Sequence, residues 1–174
     1  MSSTKRLVLC GLCTALGVVL PMALHSIPNA GNVLLPMHLP VLLAGVMCGP
    51  WYGLSCGVLT PLLSSMLTGM PPMAYLPSML CELAVYGLSS GLMMALLRKW
   101  SFWPRVLLSL SAAMLCGRLV YGALNALIFR AGDYSVAVWL TSAFVTGLPG
   151  IIIQFALIPL LLFALKRAGI LTSH

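Results

Sequence analysis

Two ionisable side chains, Glu82 and Arg118, fall inside long apolar stretches of a 174-residue chain. An ionisable group in lipid is costly; as a rule it faces a bundle interior or a polar cavity, finds a partner, and marks a working site. The chemistry open to this pair is recognition. Arg118 offers a fork of charged donors suited to a carboxylate, unless Glu82 neutralises it. Other polar side chains gather around them by helical spacing. Tyr75, Met79, Glu82 and Tyr86 share one helix face, and Arg118, Tyr121, Gly122 and Asn125 share another. Gln154 enters from a third apolar stretch and His38 stands at the head of a fourth. Two readings follow. In one, His38, Tyr75, Glu82, Tyr86, Arg118, Tyr121, Asn125 and Gln154 line a polar, substrate-binding cavity. In the other, Glu82 and Arg118 pair and hold two helices in register, Asn125 and Gln154 are interhelical hydrogen-bond partners, and His38 caps a helix or contacts a loop.

Other motifs point to no catalysis. Gly53-Leu-Ser55-Cys-Gly57 and Gly87-Leu-Ser89-Ser-Gly91 both fit G-x-S-x-G. That nucleophile motif needs a strand-to-helix elbow, and both lie in stretches that read as membrane helices. His25 and His38 are at the rim, not opposite either serine. The lysines Lys5, Lys99 and Lys166 follow Thr, Arg and Leu, so there is no Walker A loop and any ATP-driven work needs a partner. Cys10, Cys13, Cys48, Cys56, Cys81 and Cys116 fall within or at the ends of apolar stretches, where free cysteine behaves as a small hydrophobe. No catalytic residue, metal or cofactor is expected.

The elements that hold these residues are set by composition. Charged residues are 6% of the chain and hydrophobic residues 61%, with a mean hydropathy of +1.09; a globular chain has roughly 25% charged residues. The chain reads as a single all-α, polytopic membrane domain. The net charge of +7 is neither clustered in one patch nor interleaved with aromatics, so nucleic acid is not an expected partner. Roughly 20 residues span a bilayer core, and six spans are expected at about 7–24, 37–49, 52–68, 73–97, 105–129 and 149–165. Residues 130–147 are expected to form an outer loop or re-entrant piece. Lys5, Arg6, Arg98, Lys99, Arg105, Lys166 and Arg167 then fall on one side, and Arg130, beside Asp133, on the other. The basic side is cytoplasmic by the positive-inside rule, so both termini are expected in the cytoplasm. At about 1.5 Å per residue, Glu82 lies roughly 13 Å below the outer end of its helix, and Arg118 roughly 20 Å above the inner end of its own. In a core of about 30 Å both belong to the outer half.

Pro36 to Pro72 forms the centre of this arrangement. Two apolar runs meet at Gly49-Pro50, and Gly45, Gly49, Gly53 and Gly57 recur every fourth residue. Small residues at that spacing let helix backbones approach closely in lipid, so a tight helical hairpin is expected.

The strings Met37-His-Leu-Pro40-Val-Leu-Leu-Ala-Gly45, Gly49-Pro50-x-Tyr52-Gly53, Thr60-Pro61-Leu-Leu and Thr68-Gly-Met-Pro-Pro72 are read with two more: Glu82-Leu-Ala-x-Tyr86-Gly87-Leu-x-Ser-Gly91 and Thr146-Gly-Leu-Pro149-Gly150-Ile-Ile-Ile-Gln154. Together, over nearly the full length, they resemble the substrate-binding S-component of energy-coupling factor (ECF) vitamin transporters. The resemblance implies a six-helix protein of the cell membrane that captures a vitamin or related micronutrient from outside. It further implies partners: a transmembrane T-component and two cytoplasmic ATPases, docked on a small-xxx-small face of the first helix. Gly11-xxx-Ala15 matches that face, with Gly where the family usually has Ala; Cys13 and Gly17 give an alternative register.

Overall fold

A computed structural model describes residues 1–24, 26, 27, 29–129 and 134–170. Among these there are helices and turns and no strand. Helix α1 runs Ser3–Ala23, and the Ser2 hydroxyl accepts from the Lys5 N–H at 3.3 Å, as a serine N-cap does. A short α2, Ala30–Leu34, lies in what reads from sequence as an outer loop; α3 is His38–Cys48 and α4 is Pro50–Thr68. Gly49, at φ 101° and ψ 175°, makes the break between α3 and α4. That conformation needs a residue without a Cβ, and Pro50 then starts α4 at a position where its missing N–H costs nothing. Helix α5 is Leu76–Leu96, and α6 is Phe102–Leu124, prolonged by a π-helical turn over Asn125–Phe129. The segment expected as a loop or re-entrant piece contains α7, Val136–Leu140, running on into π-helical turns over Thr141–Thr146. Helix α8 is Leu148–Arg167. Arg130 and Asp133 lie outside the described residues.

Five helical stretches among the described residues are long and apolar enough to cross a membrane: Ser3–Ala23, Ala30–Cys48, Leu76–Leu96, Phe102–Phe129 and Leu148–Arg167. The sixth expected span, α4, has 19 residues but carries Pro, Gly, Ser and Thr at many positions and is less apolar than the others. Those residues serve contact rather than lipid. A Cβ on Gly53 would strike the Gly87 carbonyl, and one on Gly87 would strike that of Gly53. A Cβ on Gly45 would meet Gly87, one on Gly57 the Leu83 carbonyl, and one on Gly91 the Pro50 backbone. The small-residue pattern therefore brings α3 and α4 onto α5 backbone to backbone, the close approach that favours helix association in lipid. Val41, Leu42, Leu83, Leu110 and Ile158 close the core around it.

Helix α1 lies across α3 and α4 through Cys10, Cys13, Thr14 and Gly17. A Cβ on Gly17 would run into the Thr60 side chain, and the Thr14 hydroxyl donates to Cys56 Sγ at 3.4 Å. Gly11 and Ala15 are exposed on the opposite side, and a Cβ on Gly11 would meet nothing within 4 Å. Of the two registers on α1, Cys13 and Gly17 thus face inward.

The basic residues collect at one end of the bundle. Arg6 Nη1 comes within 4.0 Å of a Cβ built on Gly49. Arg105 donates through Nε and Nη2 to the Met94 carbonyl at 2.9 and 2.6 Å, satisfying an orphan acceptor in the last turn of α5. Lys166 Nζ lies 5.3 Å from the Phe102 ring centroid.

Candidate functional site

At the other end of the bundle, three elements bring their polar residues together. His38 is the first residue of α3, seated by a turn in which Leu35 adopts φ 50°, ψ 51°. The Leu35 carbonyl accepts from the His38 N–H at 3.1 Å and from Gln154 Nε2 at 3.4 Å. Gln154, from α8, therefore holds the turn that aims His38 inward. Glu82 projects from α5 and Arg118 from α6. Glu82 Oε1 lies 3.6 Å from His38 Nε2 and 3.8 Å from Arg118 Nε, and the three side chains are 4–7% exposed. Tyr86, one turn along α5, sets its ring edge-on to the His38 imidazole with centroids 5.0 Å apart. Gly117 makes room for the Tyr86 ring, since any Cβ there would overlap it.

These separations are ion-pair distances and exceed hydrogen-bond distances. Among the described residues, both ring nitrogens of His38, Glu82 Oε1, and Nε and Nη2 of Arg118 are buried without a hydrogen-bond partner. A buried polar atom left unmet costs about 1–3 kcal/mol, so these five atoms are placed where a further hydrogen-bonding partner would be stabilising. Together they form a set of converging donors and acceptors. Recognition is the chemistry it can perform. Ser55 and Ser89, the serines of the two G-x-S-x-G strings, donate back to the Trp51 and Val85 carbonyls of their own helices.

Of the eight residues expected to line a cavity, His38, Glu82, Tyr86 and Arg118 meet. Gln154 is 1% exposed and supports them through Leu35. Asn125 is buried and donates to the Tyr121 carbonyl at 2.8 Å, within its own helix. Tyr121 turns its ring towards Tyr134, 6.5 Å away. Tyr75 precedes α5 instead of lying within it and is 47% exposed. Three neighbours of Arg118 are not legible in the sequence. Trp139 Nε1 donates to the Arg118 carbonyl at 3.0 Å, its indole resting where a Cβ on Gly122 would lie. A Cβ on Gly147 would come within 2.9 Å of Arg118 Nη2 and 3.3 Å of Leu35 Cδ1. Trp139 and Gly147 thus cover Arg118 from the same end, with Leu35 packed beside Gly147. The available signal is Gly122, four residues beyond Arg118 on the same face and too small to fill the space above it.

The family model for the ECF transporter substrate-specific component matches residues 5–162. The chain belongs to that family, a class of multi-pass membrane transporter components. No curated protein and no solved structure matches it.

Proposed function

We propose that the chain is an S-component that binds a vitamin or related micronutrient from outside the cell between His38, Glu82, Tyr86 and Arg118, with Tyr75, Tyr121, Asn125 and Gln154 at or around the binding space. It crosses the cell membrane six times, α4 included, with both termini cytoplasmic and the basic end of the bundle inside. It hands its ligand to a transmembrane T-component driven by two cytoplasmic ATPases, and docks through Gly11 and Ala15 on the exposed side of α1. It performs no chemistry on its substrate. The observation that carries this reading is the buried trio of His38, Glu82 and Arg118, whose polar atoms converge without satisfying one another, in a chain of this family.

The rival reading is a membrane protein in which the trio only holds helices together. Binding separates the two. The purified chain should bind one water-soluble vitamin saturably at nanomolar concentration and melt at a higher temperature in its presence. Uptake of the same compound into proteoliposomes should need the T-component, the ATPases and ATP. Purified chain that binds no member of a full vitamin panel would leave the structural reading in place, and uptake without ATP would make the protein a facilitator.

A further inference from the structure

We infer that the part of the ligand held by His38, Glu82 and Arg118 is uncharged and carries a hydrogen-bond acceptor next to a donor, as an amide, imide, lactam or ureide does. This rests on the binding reading above and names the chemistry that the same site selects.

Charge comes first. Arg118 is already balanced by Glu82 at 3.8 Å. Arg6, Arg105 and Lys166 are at the opposite end of the bundle, and Glu82 is the one carboxylate side chain among the described residues. A ligand carboxylate would set a second anion beside Glu82 in a dry space, where like charges oppose ionisation. A cationic ring would face the Arg118 guanidinium. With His38 neutral, either would bury a charge with no partner left for it among the described residues, a far greater cost than burying a hydrogen-bonded neutral group.

Hydrogen bonding then fixes the pattern. The unmet atoms are two adjacent donors on Arg118, one acceptor on Glu82, and the imidazole of His38, which when neutral offers one donor and one acceptor. A carbonyl oxygen directed at the Nε–Nη2 edge of Arg118, with a neighbouring N–H directed at Glu82 Oε1, satisfies both without adding charge. Tyr86, 1% exposed and edge-on to His38, closes the cluster beside it.

Two measurements on the intact purified chain test this. Native mass spectrometry identifies any co-purifying metabolite. Calorimetry compares nicotinamide with nicotinate, riboflavin with its N3-methyl derivative, and both pairs with lipoate and thiamine. The expected ligand carries an amide-like edge, from the cell or from the panel. If it is nicotinamide or riboflavin, nicotinate or the N3-methyl derivative should bind about tenfold to a hundredfold more weakly. A tight ligand without such an edge overturns the inference, whether nicotinate, lipoate, thiamine or a co-purified acid, and leaves the transporter reading standing. N3-methylriboflavin binding as well as riboflavin overturns it too. A chain that holds no metabolite and binds neither a member of this panel nor any member of the full vitamin panel loses both readings together. None of these outcomes depends on a variant that folds. Glu82→Gln gives a further readout: it leaves the Arg118 charge unbalanced, so nicotinate should gain at least tenfold on nicotinamide. An unchanged ratio in a folded variant counts against the inference.

Discussion

The indole N–H of Trp139 donates to the backbone carbonyl of Arg118 at 3.0 Å. One hydrogen bond thus ties α7 to the helical turn of α6 that carries the guanidinium, and Gly122 provides the space the ring occupies. Trp139→Phe keeps an aromatic ring and removes the donor together with the five-membered half of the indole. A neutral hydrogen bond is worth about 0.5–1.5 kcal/mol net, so amide hydrogen exchange over residues 136–146 is expected to rise several-fold while the melting temperature falls by only a few degrees. Unchanged exchange in that segment would show that the bond does not hold it.

Glu82, Arg118 and His38 predict a specific pattern of stability. Arg118→Met leaves Glu82 buried with only His38 beside it. Removing one partner of a buried pair costs about 3–5 kcal/mol, and a large drop in melting temperature is expected. The double variant Glu82→Gln with Arg118→Met removes both charges and should recover most of that loss, while ligand affinity stays at least tenfold weaker than wild type. A folded double variant with wild-type affinity would take the ligand away from this cluster.

Glycine positions separate into two sets. Gly87→Ala drives a Cβ into the Gly53 carbonyl, and overpacking typically costs about 1–3 kcal/mol or more where backbone must move. Gly11→Ala meets nothing and, by helix propensity, should be neutral or stabilise by about 0.5–1 kcal/mol. Thermal melts in the same detergent compare them; equal melting temperatures would contradict the backbone contact between α4 and α5.

The exposed side of α1 gives a transport prediction. Gly11→Leu with Ala15→Leu puts two large side chains where a partner helix would need close approach. Uptake in the presence of the T-component and ATPases should stop while ligand affinity stays within about twofold of wild type. Normal uptake would place docking elsewhere.

Topology is tested separately. A reporter inserted between Lys99 and Trp100 should be cytoplasmic, and one inserted after Ser135 should be external. Both on one side would rule out an odd number of crossings between them.

Much of this is legible in the sequence because it depends on local pattern. Apolar runs locate the long helices, and four-residue glycine spacing announces a close backbone contact, though not that its other half is Gly87 and Gly91. Residue rise alone places Glu82 and Arg118 at a common depth, and they are 3.8 Å apart. What stays hidden depends on turns. Tyr75 fits the Glu82 face by spacing, yet α5 starts at Leu76, so spacing measured through Tyr75 runs past the helix end. Asn125 is the first residue of the π-helical turn and is buried, but its side-chain amide is taken by the Tyr121 carbonyl of its own helix, which spacing does not reveal. His38 depends on the left-handed conformation of Leu35, an uncommon one for a non-glycine residue, held from α8 by Gln154. No window around His38 contains that information.

The glycine contact has a mechanical consequence. Where α3 and α4 meet α5 through backbone, no side chain can change rotamer to let the helices slide, so the three move as one stator. The α7 cover over Arg118 meets it through a side chain and a single hydrogen bond, Trp139 on Gly122, whereas α8 is fastened to α2 backbone to backbone, a Cβ on Gly150 striking Leu34 and Val33. The α7 cover can release without breaking a backbone contact of that kind. The opening that admits a ligand is therefore expected between the stator and α7. Spin-label distances between α4 and α5 should stay fixed on ligand addition while those from α7 to α5 shift, and the reverse result would put the hinge inside the glycine contact.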